Sequence, residues 1–163
     1  MYPDEQKIWS LLEDVCDPEI PVLSIIDLGI VRDINLNEDE VEVVITPTYS
    51  GCPAMDIISM EIRFKLIASG YKKTRVTQVL SPAWTTDWMS EAGREKLKVY
   101  GIAPPNPKQV VCETALFALE EAIQCPRCNS YHTELISQFG STACKALYRC
   151  LDCKEPFDYF KCH

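Results

Sequence analysis

The residues with the clearest chemical meaning are four cysteines near the end of the chain. Cys125 and Cys128 form one C-x2-C pair, Cys150 and Cys153 form another, and 21 residues separate the two pairs. Two thiolates at this spacing can bind one ion, and two such pairs complete the tetrahedral site typical of structural Zn²⁺. A tail of about 40 residues can hardly bury enough apolar surface to fold alone. The pattern therefore predicts a structural zinc ion that these four cysteines bind.

Other interpretations of this cysteine-rich tail stay open. The same four thiolates could hold an iron–sulfur cluster, or the two pairs could be unrelated. A redox role is disfavoured, because neither pair is placed on a βαβ unit. Further residues of the tail could replace a ligand or simply pack nearby: Cys144, Cys162, His132 and His163.

A fifth cysteine, Cys52, has a different setting. It directly precedes Pro53, and proline is favoured at the first position of a helix, so Cys52 is expected at the N-cap. The partial positive charge of a helix N-terminus stabilises a thiolate and lowers the pKa of a thiol. Cys52 is therefore a candidate nucleophile or metal ligand; the alternative is a small buried cysteine that fills a gap. Cys16 and Cys112 lack such a context and are expected to be inert.

Polar residues elsewhere could support Cys52. Carboxylates can bind metal or transfer protons, and three acidic residues could flank the same cleft: Asp17, Glu19 and Asp27. The hydroxyls of Thr46 and Thr48 could donate hydrogen bonds to the thiolate. All five residues have ordinary alternatives, since acidic residues also form turns and caps and threonines also pair in strands.

The composition excludes some functions. The net charge is −8, with −7 in residues 1–103 and −1 in the rest, so a phosphate backbone would be repelled and nucleic-acid binding is not expected. The apolar runs are too short to span a bilayer, and no export signal is visible. We therefore expect a cytoplasmic protein that does not bind membranes and whose nine cysteines are mostly reduced.

The elements that must position these residues can be predicted from apolar periodicity and turn residues. Helices are expected from Asp4 to before Asp17, from about Pro53 to near Gly70, and from about Asp87 to Tyr100. Strands are expected at Ile30–Leu36 and Val41–Thr46, which form a hairpin, and at Thr74–Leu80. Trp84 and Trp88 are candidate anchors for a protein partner, with core packing as the alternative.

A cluster of prolines near residue 105 predicts the domain organisation. The segment Pro104-Pro105-Asn106-Pro107 is typical of a linker. We predict one domain at residues 1–103, a linker at 104–122 and a four-cysteine module at 123–163. Helices alternate with a small set of strands in the first part, which indicates an α/β class.

Two stretches of the chain carry a family resemblance. They read Asp17-Pro18-Glu19-Ile20-Pro21-Val22 with Asp27-Leu28-Gly29-Ile30-Val31, and Thr46-Pro47-Thr48-Tyr49-Ser50-Gly51-Cys52-Pro53. Both resemble the MIP18 family (DUF59 domain), which is associated with iron–sulfur cluster assembly. The family's motif cysteine matches Cys52, and its acidic loop matches Asp17, Glu19 and Asp27. The resemblance implies a two-layer α+β domain with helices packed on a small mixed sheet, followed by a zinc-ribbon-like module.

A second resemblance is narrower. It rests on Ser81-Pro82-Ala83-Trp84-Thr85-Thr86-Asp87-Trp88-Met89, on the stretch from Arg94-Glu95-Lys96-Leu97 through Tyr100-Gly101-Ile102-Ala103-Pro104-Pro105, and on two tail strings, from Phe139 to Cys150 and from Glu155 to Cys162. These strings are similar to the D subunits of phenylacetyl-CoA epoxidase, a multicomponent oxygenase of aerobic phenylacetate degradation. The first string departs from that family's signature at Ser81, where the family has aspartate.

This resemblance implies a non-catalytic accessory subunit or maturation factor. Its partners would be the oxygenase or reductase subunits and iron–sulfur assembly proteins, and its cofactors would be structural zinc and a transient iron–sulfur cluster or iron at Cys52. One cysteine cannot hold a cluster alone, so a second copy or a client would supply further ligands. Two alternatives stay open: a stable zinc-ribbon interaction subunit of the oxygenase complex, and a thiol enzyme that uses Cys52.

Overall fold

The computed structural model describes residues 3–38, 40–105 and 122–161. The chain forms two compact units, Met1–Gly93 and Arg94–His163. Its elements, in chain order, are α1 (Pro3–Leu12), β1 (Val31–Leu36), β2 (Val41–Ile45), α2 (Ala54–Ala68), β3 (Thr74–Gln78), a 3₁₀ helix (Thr86–Trp88), α3 (Glu91–Tyr100), β4 (Ile102–Ala103), β5 (Thr133–Ser137), β6 (Lys145–Cys150) and β7 (Pro156–Phe160). In the described ranges, none of the helices combines the length and apolarity needed to cross a bilayer. The predicted α/β class is confirmed.

A three-stranded mixed sheet forms the centre of the first unit. β2 lies in the middle, antiparallel to β1 and parallel to β3. α2 makes the crossover between the two parallel strands, as a parallel pair requires. Alternate residues of β2 are buried, namely Val41, Val43 and Ile45, and α2 buries Ile58, Ile62 and Leu66. The predicted hairpin, the helix α2 and the third strand are therefore all present.

Two helix boundaries differ from the prediction. α1 ends at Leu12, and the chain then turns so that Asp17 N–H bonds to the Leu23 carbonyl at 2.9 Å. α3 begins at Glu91, because Ser90 caps it: the Ser90 hydroxyl accepts the Gly93 N–H at 2.9 Å. The residues before Ser90 form the separate 3₁₀ helix.

Gly29 allows the segment around the 3₁₀ helix to pack closely on the loop before β1. Its φ is +70°, and a Cβ at this position would lie 2.1 Å from the Trp88 carbonyl oxygen. Next to it, the indole N–H of Trp84 donates to the Leu28 carbonyl at 2.8 Å, and Trp84 is only 5% exposed. Trp84 is thus a core residue and not an exposed partner anchor. Trp88 is half-buried, with the Arg32 guanidinium 3.6 Å above its ring centroid.

A four-stranded sheet in the order β4-β7-β6-β5 organises the second unit. β6 pairs antiparallel with both β5 and β7, and its Tyr148 ring stacks on Phe157 and meets Tyr159 edge-on. β4 pairs parallel with β7, so Ile102 lies opposite Asp158. The predicted division at residue 103 stays a prediction. β4, which precedes that limit, belongs to the second unit, and most of the predicted linker lies outside the described residues.

Candidate metal centre and thiol loop

The four cysteines of the two C-x2-C pairs meet at one point of the second unit. Their sulfur atoms all lie within 4.8 Å of one another. Cys125 Sγ is 3.8 Å from Cys153 Sγ, and Cys128 Sγ is 3.5 Å from Cys150 Sγ. A tetrahedral ion with metal–sulfur bonds of about 2.3 Å would hold its sulfurs about 3.8 Å apart. The donor set therefore fits a single metal ion bound by four thiolates.

Both pairs are tight turns of the same kind. The residue after each second cysteine has a left-handed backbone: Asn129 with φ 63° and Lys154 with φ 68°. At the first turn, the Cys125 N–H donates to the Ser130 carbonyl at 2.8 Å. At the second turn, the Cys150 N–H donates to the Glu155 carbonyl at 3.0 Å. These turns aim both sulfurs of each pair in one direction, which is the geometry that the C-x2-C spacing predicts.

The four thiols need a nearby cation in order to ionise together at neutral pH. Hydrogen bonds from backbone N–H groups, first that of Cys153 and then that of Asp152, lower the pKa of Cys150 to about 7. The Glu155 N–H acts to lower the pKa of Cys153, but desolvation and the neighbouring cysteine sulfurs outweigh it and raise this pKa to about 12. Without a metal ion, the four sulfurs therefore cannot all be ionised near neutral pH. A bound divalent cation would compensate their mutual repulsion.

The alternative ligands of the tail lie elsewhere or outside the described residues. Cys144 is buried, and its sulfur contacts the Thr142 hydroxyl at 3.0 Å, apart from the group of four sulfurs. His132 is exposed, and its Nδ1 lies 3.0 Å from Asp152 Oδ1. Cys162 and His163 lie outside the described residues.

Cys52 lies in the loop that joins β2 to α2, residues 46–53, which we call the thiol loop. This loop leaves the carboxyl end of β2, beside the carboxyl end of the parallel strand β3, where open α/β sheets commonly bind ligands. The Cys52 N–H donates to the Tyr49 carbonyl at 3.3 Å, and the Cys52 carbonyl accepts the Met55 N–H at 3.3 Å. The loop thereby holds a half-buried thiol just before the helix begins.

The predicted low pKa of Cys52 is wrong in direction. Burial raises the pKa of this thiol, although the Ala54 N–H and the Tyr49 hydroxyl donate hydrogen bonds to the sulfur and act to lower it. The negative charges of Glu19 and Asp17 raise it further. The expected position also differs: the helix N-cap is Pro53, so Cys52 lies one residue before the cap and not at it.

The acidic residues divide into two groups. The carboxylates of Asp17 and Glu19 lie close enough for their charges to act on Cys52. Asp17 also stabilises its own turn, because its Oδ1 accepts the N–H groups of Glu19 at 2.7 Å and Ile20 at 3.1 Å. Asp27 has a structural role instead: its carboxylate accepts the Ser24 N–H and the Ser90 hydroxyl.

The hydroxyl next to Cys52 comes from a residue that the sequence did not single out. Tyr49, three positions before Cys52 in the same turn, donates to its sulfur, whereas Thr46 and Thr48 were the predicted donors. Thr46 is buried, and its Oγ1 has no hydrogen-bond partner in the described ranges. Thr48 is half-buried. A three-residue separation within a turn was the signal that could have identified Tyr49.

Two family models match the chain. One, described as an iron–sulfur cluster assembly protein, matches residues 5–79, and the other, described as the PaaD zinc beta ribbon domain, matches residues 110–161. The first covers the Cys52 loop and the second covers all four clustered cysteines. In the solved structures, the DUF59 domain from Bacillus anthracis is similar, with a TM-score of 0.54 and 28% identity over 58% of this chain and 92% of that chain.

Curated relatives agree with the two models. The "Fe-S protein maturation auxiliary factor YitW" of Bacillus subtilis (strain 168) is 37% identical over 58% of this chain and 94% of its own length. The Escherichia coli (strain K12) protein that is named as the D subunit of a "Putative 1,2-phenylacetyl-CoA epoxidase" is 51% identical over 98% of this chain and 94% of its own length. With an N-terminal MIP18-type domain and a C-terminal zinc ribbon, the chain belongs to the family of phenylacetyl-CoA epoxidase D subunits.

Proposed function

We propose that the protein is a non-catalytic accessory factor that helps to load phenylacetyl-CoA epoxidase with iron or iron–sulfur cofactors. The observation that carries the proposal is the presence of two unlike sulfur sites in one chain. The first is a closed group of four cysteines, and the second is a single half-buried thiol beside two carboxylates. A closed site suits a permanent ion, whereas a single thiol with open positions suits cargo that must leave again.

Zinc is the metal that we assign to Cys125, Cys128, Cys150 and Cys153. The sulfur separations of 3.5 and 3.8 Å match one central ion. An iron–sulfur cluster would spread the same four thiolates over two or more irons and hold them farther apart. With all four positions filled by thiolates, the ion has no free position for a substrate, and its role is to stabilise the fold of the ribbon.

Cys52 is the residue that we assign to the cargo. Because its thiol stays protonated at neutral pH, an incoming iron must displace the proton, and binding should be weak and exchangeable. Glu19 and Asp17 would add oxygen ligands or favour the approach of a cation. The remaining ligands would come from another protein, which makes transfer to that protein simple.

The outer face of α2 offers a surface for such a partner. Four apolar side chains are exposed there: Ile57 at 45%, Met60 at 66%, Phe64 at 75% and Ile67 at 53%. Their 3-4-3 spacing forms a straight stripe opposite the buried face of the helix, as in a coiled-coil seam. The stripe begins little more than one turn after Cys52, so a protein docked along it would reach the thiol loop.

The charges beside the stripe favour a different protein over a second copy. In an antiparallel self-pairing, Glu61 would lie beside Glu61 of the second copy; in a parallel one, Asp56 would face Glu61. Like charges at these positions destabilise a helix pair. We therefore propose a partner helix with an apolar seam and basic residues opposite Asp56 and Glu61, which also complements the net charge of −8. Nucleic acid and membranes are not proposed partners.

One alternative has an observation in its favour. The raised pKa of Cys52 would equally suit an inert thiol in a stable interaction subunit of the oxygenase complex, held by its zinc ribbon and docked through α2. A thiol enzyme is the weakest candidate, because a mostly protonated sulfur is a poor nucleophile. We place the protein in the cytoplasm, where thiols stay reduced.

Epoxidase activity separates these functions. Cells that carry Cys52→Ala should lose most epoxidase activity, whereas Cys16→Ala, a control at another half-buried cysteine, should have little effect. Purified epoxidase that already contains its cofactors should turn over without this protein. A purified, loaded epoxidase that still needs this chain would establish the stable-subunit alternative, and full cellular activity with Cys52→Ala would contradict the loading role.

A further inference from the structure

Side chains join the two cysteine turns on one side of the metal centre. The Ser130 hydroxyl donates to Asp152 Oδ2, and each of these residues also holds a cysteine sulfur through its backbone. The Ser130 N–H donates to Cys128 Sγ, and the Asp152 N–H donates to Cys150 Sγ. The two sulfurs are only 3.5 Å apart. The side-chain bond therefore connects the two backbone positions that hold these neighbouring sulfurs.

His132 strengthens the same connection. The ring Nδ1 of His132 lies 3.0 Å from Asp152 Oδ1. Its backbone N–H donates to the Ser130 hydroxyl at 3.0 Å, and its backbone carbonyl accepts the Leu151 N–H at 2.8 Å. Ser130 and His132 follow the first cysteine turn, while Leu151 and Asp152 lie inside the second. The group of side chains thus links two segments that are about 20 residues apart in the chain.

The opposite side of the metal centre has no such connection. By the near-twofold repeat of the two turns, Arg127 is equivalent to Asp152, and Glu155 is equivalent to Ser130. The Glu155 N–H donates to Cys153 Sγ, as the Ser130 N–H does to Cys128 Sγ. Yet Arg127 and Glu155, both in the described part of the chain, form no ion pair with each other despite their opposite charges. The cross-link is one-sided.

We propose that Asp152 is a positioning residue that locks the two cysteine turns together and slows the release of the metal ion. It does not touch the metal; it restrains the residues whose N–H groups support Cys128 and Cys150. Release requires the two turns to separate, so the bonds to Asp152 must break first. The proposal depends only on the four-cysteine site and is independent of the role of Cys52.

The expected size of the effect follows from exposure. Asp152 and His132 are both more than half exposed, so the contact between their side chains contributes little. The hydrogen bond from Ser130 to a carboxylate is the stronger contact, because one partner is charged. Mutating a residue that supports a metal ligand typically weakens metal affinity by about 10- to 100-fold. Because Asp152 and His132 are exposed, we expect an effect at the lower end of this range.

Zinc release from the full-length, zinc-loaded protein tests the proposal. An excess of the chromogenic chelator pyridylazoresorcinol would follow release, and circular dichroism would confirm that each variant is folded. Asp152→Ala should release zinc about tenfold faster than the unmodified chain. Asp152→Asn keeps an acceptor for the Ser130 hydroxyl, so its zinc release rate should be intermediate between these two rates. Glu155→Gln, at the unconnected position, should release zinc at the unmodified rate.

Ser130→Ala keeps the test decisive if Asp152→Ala loses its zinc during purification. It removes the other half of the bond and should accelerate release to a similar extent, and combining the two substitutions should add little because they act through one contact. An unmodified release rate in Ser130→Ala and Asp152→Asn would overturn the proposal. Equal acceleration by Glu155→Gln would also overturn it, because the effect would then be general to the turns.

Discussion

The two sulfur sites of this protein differ in how the backbone surrounds them. In the ribbon, four cysteines come from two similar turns, and backbone N–H groups point at the sulfurs. In the thiol loop, Cys52 stands alone, half-buried, with two carboxylates nearby that disfavour its ionisation. The first arrangement would lower the cost of bringing four negatively charged sulfurs around a cation, whereas the second keeps the Cys52 thiol neutral. On our proposal, the same side chain serves permanent binding in the ribbon and transient binding in the loop, according to its surroundings.

The largest expected effect comes from removing one sulfur of the closed site. Cys128→Ser should lose zinc and unfold the ribbon, because structural zinc in small domains supplies about 10–16 kcal/mol of apparent binding free energy. Elemental analysis and heteronuclear NMR would measure both, and the signals of residues 3–93 should persist. Cys144→Ser, outside the group of four, should keep its zinc. Full zinc content in Cys128→Ser would contradict the assignment.

A smaller effect is expected from the packing that supports the thiol loop's domain. Gly29→Ala should destabilise the first unit by about 2–4 kcal/mol, since φ is +70° and the new Cβ would clash with the Trp88 carbonyl. Gly70→Ala is the matched control: its φ is +102°, but no heavy atom lies within 4 Å of the added Cβ, and a loss of about 1 kcal/mol is expected. Urea unfolding measures both losses. Equal losses would show that the close approach at Gly29 does not matter.

The smallest effect concerns the reactivity of Cys52. Its pKa is raised above 9.0, so the thiolate fraction at pH 7 is small, and alkylation by iodoacetamide should accelerate about tenfold per pH unit from pH 6 to 9 without levelling off. Glu19→Gln removes a nearby negative charge, which should lower this pKa and modestly accelerate alkylation at pH 8. Mass spectrometry of the Cys52 peptide gives the rate. Rapid, pH-independent alkylation between pH 6 and 8 would mean that the thiol is already ionised.

Local patterns made part of this structure predictable. The four-cysteine site follows from spacing, because each C-x2-C turn fixes its own geometry. Only one long-range contact, between the two turns, is then needed to complete the site. The hairpin and α2 follow from apolar periodicity and from polar turns. At Gly29 the residue type alone permits a close backbone approach, but the group that approaches it, Trp88, is distant in sequence.

The features that could not be predicted from the sequence depend on contacts between residues that are far apart in the chain. The pKa of Cys52 is set by burial and by Glu19 and Asp17, more than 30 positions away, and these outweigh the nearby helix. Asp27 resembles the other acidic residues in sequence, yet it bonds to Ser90, 63 positions later. β4 pairs with β7 across more than 50 residues, so a proline-based boundary could not foresee that Ile102 belongs to the second unit.

The iron content of the epoxidase tests the central claim most directly. Epoxidase subunits purified anaerobically from cells that carry Cys52→Ala would be compared, by elemental analysis and absorption spectroscopy, with subunits from cells that carry Cys16→Ala. If Cys52 handles the cargo, the first preparation should be short of iron while this protein itself retains its zinc. Epoxidase with a full complement of iron from the Cys52→Ala cells would contradict the account.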